Sequence, residues 1–395
     1  MTISLSDRVN AINPSPTLAI TNRANEMRKA GKNIIGLGAG EPDFDTPEHI
    51  KNAAIEAIHS GFTKYTAVDG IPALKTAIIE KLRTDNHLSY EPDQILVSCG
   101  GKQSFYNLTQ AIINPGEQII IPAPYWVSYP DMALLAGGEP VFLLANQDQN
   151  FKINPEQLRA SLNDRSRLFV INSPSNPTGI SYTENELKAL ARVLLEFPDL
   201  IIASDDMYEH IVWKANSFCN ILNVCPELYD RTLVLNGVSK AYSMTGWRIG
   251  YAAGPRSIIQ AMKKIQSHST SNPTSISQIA AETALSNDQS CIDTMKRAFK
   301  DRHDFVVDAL NKIKGISCLA TDGTFYVFPD LQNVIATLEG IDDDVALSEF
   351  LIEKAGVAVV PGSAFGCPGH VRISIATSME NLVDACERIR RVLGV

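Results

Sequence analysis

The stretch LNGVSKAYSMTGWRIGYAAGP, from Leu235 to Pro255, holds two apolar runs joined by a short polar link. Ser239-Lys240 closes the first run, and Gly246-Trp247-Arg248 opens the second. Near-continuous apolar runs of this length suit strands buried on both faces of a sheet. Lys240 and Arg248 then stand at strand ends. They read either as solvated charges or as two cations facing one anionic ligand, and the rest of the chain decides between these.

Working outward, QILVS (94–98), QIIIP (118–122), EPVFLL (139–144), SRLFVIN (166–172), LIIAS (200–204), TLVLN (232–236) and RIGYAAG (248–254) read as strands. Helical patterns lie between them. PYWVSYPDMALLAG (124–137) is one. Thr183 with Glu186 forms a capping-box pattern ahead of ENELKALARVLLE. Thr46-Pro47 opens a helix that Gly61 ends. This alternation predicts an α/β domain with a mostly parallel sheet. Beyond about Ser290 a long helical segment leads to GTFYVFP, GVAVVPG and HVRISIA as short strands and a closing helix, a smaller α+β domain. The expected division is a large domain over residues 46–288 and a small one over 1–45 and 289–395.

Bulk properties narrow the function. The 395 residues exceed one comfortable core. Net charge is −9, with no Lys/Arg run, so no nucleic-acid footprint is expected, although a pocket can be basic on an acidic protein. The opening MTISLSDRVNAINPSPT lacks a signal-peptide apolar core, and no run approaches the roughly 20 apolar residues of a membrane span. The seven cysteines are scattered without C-x-x-C, and the histidines without H-E-x-x-H. A reducing cytoplasm and no metal site are expected. GLGAG (36–40) hints at a dinucleotide fingerprint, but Glu41-Pro42 follows where a helix should begin, so that reading is set aside.

Ligands of open α/β sheets bind outside the carboxyl ends of the strands. Gly100-Gly101-Lys102 opens a helix after one strand, leaving N–H groups free for a phosphate. Asn176, Asp205 with Tyr208, and Ser239-Lys240 follow three others, and Arg248 opens the next. Together they offer a helix end, an amide, a carboxylate with a phenol, an amine and a guanidinium. Pyridoxal phosphate needs that set: an amine for a Schiff base, a carboxylate at the ring nitrogen, donors to the phenolate and a phosphate cup. Each residue alone has a plainer reading: surface lysine, turn, helix cap. The combination in this order does not.

The chain resembles the class I aminotransferases of pyridoxal-phosphate fold type I, most closely the aspartate aminotransferase subgroup common in bacteria. The resemblance rests on AGEPDFDTPEHI (39–50), TKYTAVDGIPAL (63–74), GGKQ (100–103), PYWVSYP (124–130), SPSNPTG (173–179), SDDMYEH (204–210), SKAYSMTGWRIGY (239–251), GTFYVF (323–328), GVAVVPG (356–362) and HVRISIATS (370–378). It implies a seven-stranded, mostly parallel sheet flanked by helices, and a homodimer. It implies amino transfer from L-aspartate to 2-oxoglutarate, giving oxaloacetate and L-glutamate by a ping-pong cycle. Prephenate, aromatic amino acids or alanine are the alternative substrates. Lys240 matches the Schiff-base lysine, Asp205 the ring-nitrogen partner, and Tyr208 and Asn176 the donors to the ring oxygen. Arg248 matches the phosphate clamp and Trp126 the stacking ring. Tyr65 matches a phosphate ligand from the other subunit, Gly40 a backbone contact near the substrate carboxylate, and Arg372 the α-carboxylate fork.

Two departures stand out. KIQSHSTSNPTS (264–275) lacks the arginine with which animal-type relatives bind the distal carboxylate, which leaves Lys102 as the candidate for that role or for the phosphate cup. Gly237 stands where some relatives carry a phosphate-binding serine, so the cup leans on the helix N-terminus or on Ser239.

Overall fold

A computed structural model of the protein describes residues 3–213 and 218–394. Its strands, in chain order, are β1 (Ile35–Gly36), β2 (Ile95–Ser98), β3 (Gln118–Ala123), β4 (Glu139–Leu144), β5 (Ser166–Asn172), β6 (Ile201–Asp205), β7 (Thr232–Gly237), β8 (Gly250–Ala253), β9 (Tyr326–Val327), β10 (Val357–Ala358), β11 (Val360–Pro361) and β12 (Val371–Ser374). Seven of them form one sheet in the order β2-β8-β7-β6-β5-β3-β4. Only β8 runs antiparallel to its neighbours, β2 and β7.

The apolar runs are continuous because both faces of this sheet are covered. Successive side chains of a strand point to opposite faces. Val97, Ile120, Phe169, Ile202 and Val234 join one buried cluster, with the helices Pro72–Asp85, Glu184–Leu195 and Ser275–Ser286. Their neighbours Leu96, Ile119, Leu168, Ala203 and Leu235 join another, with the helices Gly101–Ile112, Ser128–Leu135 and Arg256–Ser267. The expected capping box forms, with Thr183 Oγ1 accepting from Glu186 N–H and Glu186 accepting from Thr183 N–H.

A third cluster gathers most of the remaining buried side chains. Phe299, Val306 and Leu310 of the helix Ser290–Asn311 pack with Tyr326, Val371, Ile373 and Leu382. Ile35 and Leu37 join them, because β1 pairs in parallel with β10. β9, β12 and β11 form a three-stranded antiparallel sheet with β12 in the middle. No helix among the described residues is long and apolar enough to cross a membrane.

Several sequence expectations change at their edges, and GVAVVPG, expected as one strand, splits into β10 and β11 in different sheets. The helix expected over 124–137 forms only over Ser128–Leu135. Pro124 precedes it, and the Tyr125 N–H is already committed to Phe365 O at 3.0 Å. The strand expected from Arg248 begins at Gly250. A 3₁₀ turn over Thr245–Trp247 leaves Arg248 left-handed, at φ +57°. After Gly40 the next helix starts only at Glu48, which agrees with setting the dinucleotide reading aside.

The N-terminus of the helix Gly101–Ile112 lies directly on β8. A Cβ at Gly250 would meet Gly101 N at 2.2 Å and the Gly100 carbonyl carbon at 2.5 Å. Backbone cannot yield as a side-chain tip can. Gly250→Ala is therefore expected to destabilise the fold by about 1–3 kcal/mol, as overpacking does. A lowered unfolding midpoint in denaturant with an unchanged slope is the result that checks it.

Candidate active site

A pocket of about 400 Å³ opens at the carboxyl ends of the parallel strands. Each strand end delivers a different chemistry. Gly101 and Lys102 follow β2, Trp126 follows β3, Asn176 follows β5, Asp205 ends β6 with Tyr208 after it, and Ser239 and Lys240 follow β7. Arg248 enters from the turn before β8. Gly40, Tyr326 and Arg372 close the pocket from the side of the third cluster.

Lys240 sits deep in this pocket, its ammonium donating to Gly40 O. Burial lowers the amine to about 8, helped by the nearby Arg372 and Arg248 and opposed by Glu41 and Asp205. Asp205 shows the opposite response. Burial raises its carboxyl above the usual range, against the Tyr129 hydroxyl, the Met207 N–H and Lys240, which all favour the ionised form. Tyr129 donates to Asp205 Oδ2, and Met207 N–H to Oδ1 at 3.3 Å. The Tyr208 hydroxyl pairs with that of Tyr326 at 3.1 Å, and burial pushes the Tyr208 phenol well above its ordinary value.

Arg372 occupies the middle strand of the three-stranded sheet and is 2 % exposed. Nη1 donates to Asn176 Oδ1 at 2.9 Å and Nη2 to Gly38 O at 2.8 Å. The guanidinium carbon lies 4.4 Å from the Tyr326 ring centroid and 5.0 Å from that of Phe365. Nε, although buried, has no hydrogen-bond partner among the described residues. Since a guanidinium has five N–H groups, this plane is held in place with donors to spare.

At the other end, Arg248 donates from Nη1 to Thr245 O at 2.7 Å and from Nη2 to Cys99 O at 3.3 Å. Its guanidinium lies over Gly100, where a Cβ would meet Nη2 at 2.3 Å. Lys102 stands on the first turn of the helix Gly101–Ile112, its Nζ 5.3 Å from the Trp126 ring centroid. Burial and then Arg248 lower its amine, while Asp131 opposes them. No hydrogen bond or ion pair engages Lys102 among the described residues, so it is a cation available to a ligand.

The chain thus brings twelve of the thirteen sequence-derived residues to one place: Gly40, Gly101, Lys102, Trp126, Asn176, Asp205, Tyr208, Ser239, Lys240, Arg248 and Arg372 line the pocket, and Gly100 supports Arg248 from behind. Tyr65 is not among them and is 91 % exposed. The departure at Gly237 has a steric reason. A Cβ there would lie 2.9 Å from both Gly250 Cα and Ile249 O, so serine does not fit.

Sequence reading missed Tyr129, Asn172, Glu41 and Tyr326. Asn172 bridges two site loops, its Nδ2 donating to Asp205 O and its Oδ1 accepting from Asn176 N–H, both at 2.8 Å. Thr245 Oγ1 donates to Glu41 at 2.9 Å. Tyr326 lay within GTFYVF, but an aromatic in a short apolar strand gives no sign that its hydroxyl meets Tyr208.

Comparison with known proteins agrees with this geometry. The family model for aminotransferase class I and II matches residues 32–389. The chain is 57% identical over 397 aligned positions to the aspartate/prephenate aminotransferase of Nitrosomonas europaea, covering 99% of this chain and 100% of the relative. It is 48% identical to the aspartate aminotransferase of Geobacillus stearothermophilus, covering 99% of each. The solved aspartate aminotransferase of Rhizobium meliloti superposes with a TM-score of 0.96 at 45% identity, covering 99% of both chains. That of Thermus thermophilus with maleate gives 0.93 at 43%, covering 99% of this chain and 100% of that one. The chain belongs to the class I and II aminotransferases.

Proposed function

We propose that the chain is a pyridoxal 5'-phosphate-dependent, cytoplasmic aspartate aminotransferase that works as a homodimer. It would convert L-aspartate and 2-oxoglutarate to oxaloacetate and L-glutamate. The observation that carries this reading is one pocket holding a buried amine near half-neutral at pH 8, a buried carboxylate and two arginines at opposite ends. Maleate in the Thermus structure is a four-carbon dicarboxylate, which supports a dicarboxylate substrate here. Relatives at 57% and 55% identity bear the name aspartate/prephenate aminotransferase, which supports prephenate as a further amino acceptor. Prephenate is itself a dicarboxylate, so Lys102 suits both.

The residues fit the cofactor. The glycine seam at Gly100, Gly101 and Gly250 leaves a helix N-terminus and Arg248 bare for a phosphate. Asp205 stands ready for a protonated ring nitrogen, Tyr208 and the Asn176 amide for the ring oxygen, and Trp126 for the ring face. When bound, pyridoxal phosphate supplies an aldehyde carbon for an amine and a ring that takes up electrons.

The chain's own residues do the remaining work. Arg372 binds the α-carboxylate through its planar fork. Lys102 meets the distal carboxylate. Lys240, unprotonated above about pH 8, takes up the α-proton and returns it. Asp205 keeps a proton on the ring nitrogen. Tyr65, exposed in its own chain, reaches the phosphate of the partner subunit. The two apolar clusters around the large sheet and the third around β9 and β12 support a division into a large domain over 46–288 and a small one over 1–45 with 289–395.

Addition of L-aspartate alone to the purified, cofactor-loaded protein is expected to bleach the visible band of the lysine-bound cofactor. A band that ignores aspartate would overturn the substrate assignment. In the cofactor-free chain, reductive methylation of Lys240 is expected to be half-maximal near pH 8, because the amine is protonated below that value and free above it. Mass spectrometry across pH 6–10 checks this.

Arg372→Ala is expected to lower kcat/KM for aspartate and alanine alike, roughly 10- to 100-fold, as loss of a charge-assisted hydrogen bond does. Lys102→Ala is expected to lower it comparably for aspartate and glutamate and to spare alanine. Equal losses for alanine would remove Lys102 from specificity.

Mixed dimers test Tyr65. One chain carrying Tyr65→Ala and the other Lys240→Ala leaves one intact site if Tyr65 serves its neighbour. With just enough cofactor to fill intact sites, activity per dimer should then be about half that of the parent, since independent sites add. If Tyr65 serves its own chain, the mixed dimer has no intact site.

A further inference from the structure

Tyr129 lies within PYWVSYP but carries none of the roles assigned to that stretch, yet it touches two proposed cofactor contacts at once. It is 1 % exposed, on the second residue of the helix Ser128–Leu135. Its hydroxyl donates to Asp205 Oδ2, and this is the hydroxyl's one hydrogen bond among the described residues. Its ring meets the Trp126 ring edge-on, with centroids 5.1 Å apart and planes at 87°. Phe105 packs on it at 4.8 Å. The phenol therefore cannot swing away without breaking the packing behind Trp126.

Asp205 has little else to hold its charge. Its Oδ1 accepts from Met207 N–H, and its main-chain carbonyl is held by Asn172. No salt bridge engages it among the described residues. The side chains facing it are Tyr129, Tyr208 and Lys240. Burial alone would favour the neutral carboxyl. A donor on the ionised form works against that, and Tyr129 supplies it.

We propose that Tyr129 is a positioning residue, whose hydroxyl keeps Asp205 ionised and aimed so that the proton they govern resides on the cofactor's ring nitrogen. This rests on pyridoxal phosphate occupying the pocket as proposed above. A phenylalanine there would keep the packing and lose the donor. The proton between Asp205 and the ring nitrogen would move toward Asp205, and the ring would become a poorer electron acceptor. Binding of the substrate's carboxylates, which Arg372 and Lys102 govern, would not change.

The test is Tyr129→Phe, read in three ways. In the cofactor-free chain, the ¹³C titration of the labelled Asp205 carboxyl should move to higher pH. In the loaded chain, the ¹⁵N resonance of ring-labelled cofactor should move from its protonated toward its unprotonated position. In turnover, kcat for aspartate should fall about 10- to 100-fold with KM within twofold, the scale of one hydrogen bond to a charged group. An unmoved Asp205 titration overturns the proposal whatever the activity does. A ¹⁵N resonance that stays in place, or a loss carried by KM alone, overturns the positioning role in favour of packing. A parent chain with no cofactor band defeats the cofactor reading, and the role at the ring nitrogen with it. The cofactor-free titration separates that outcome from a failure of Tyr129 itself.

Discussion

The helix Gly101–Ile112 begins in contact with the backbone of Gly250, and the pocket takes its shape from that contact. Three glycines, at 100, 101 and 250, remove the side chains that would hold the helix off the sheet. Free N–H groups of the first helical turn then lie beside Arg248 at the strand ends. The same closeness denies a side chain to Gly237, so no hydroxyl enters the pocket from that position.

Burial then sets the charges. Lys240, Lys102, Arg248 and Arg372 crowd one pocket with Asp205 and Glu41. Cations held near each other away from water shed protons, and Lys240 and Lys102 are both lowered for that reason. A nucleophilic amine needs its neutral form at working pH. The pocket obtains it through desolvation and neighbouring guanidinia, without a dedicated base on Lys240. An anionic ligand would relieve the same repulsion, which is the physical reason this set of cations suits a phosphate and two carboxylates.

Much of this was legible along the chain. Continuous apolar runs announced strands covered on both faces, and the alternation of Leu96 with Val97 and of Leu168 with Phe169 between clusters shows why they had to be continuous. Residues just past the strand ends were readable as a site because parallel strands deliver their carboxyl ends to one edge. Boundaries were less legible. The helix beginning at Ser128 starts late because a tertiary bond to Phe365 O claims the Tyr125 N–H, and the strand beginning at Gly250 because a 3₁₀ turn leaves Arg248 left-handed.

The sequence by itself determined which chemical groups the site holds and which strand end presents each, since periodicity and motif order depend only on local spacing. Tertiary structure alone decided how those groups act on one another. Tyr129 reaches Asp205 across 76 residues, Arg372 reaches Asn176 across 196, and Lys240 reaches Gly40 across 200. No local pattern encodes such pairings. They arise because helices packed on the large sheet, and the three-stranded sheet that carries Arg372 on β12, bring distant side chains into one region that water leaves.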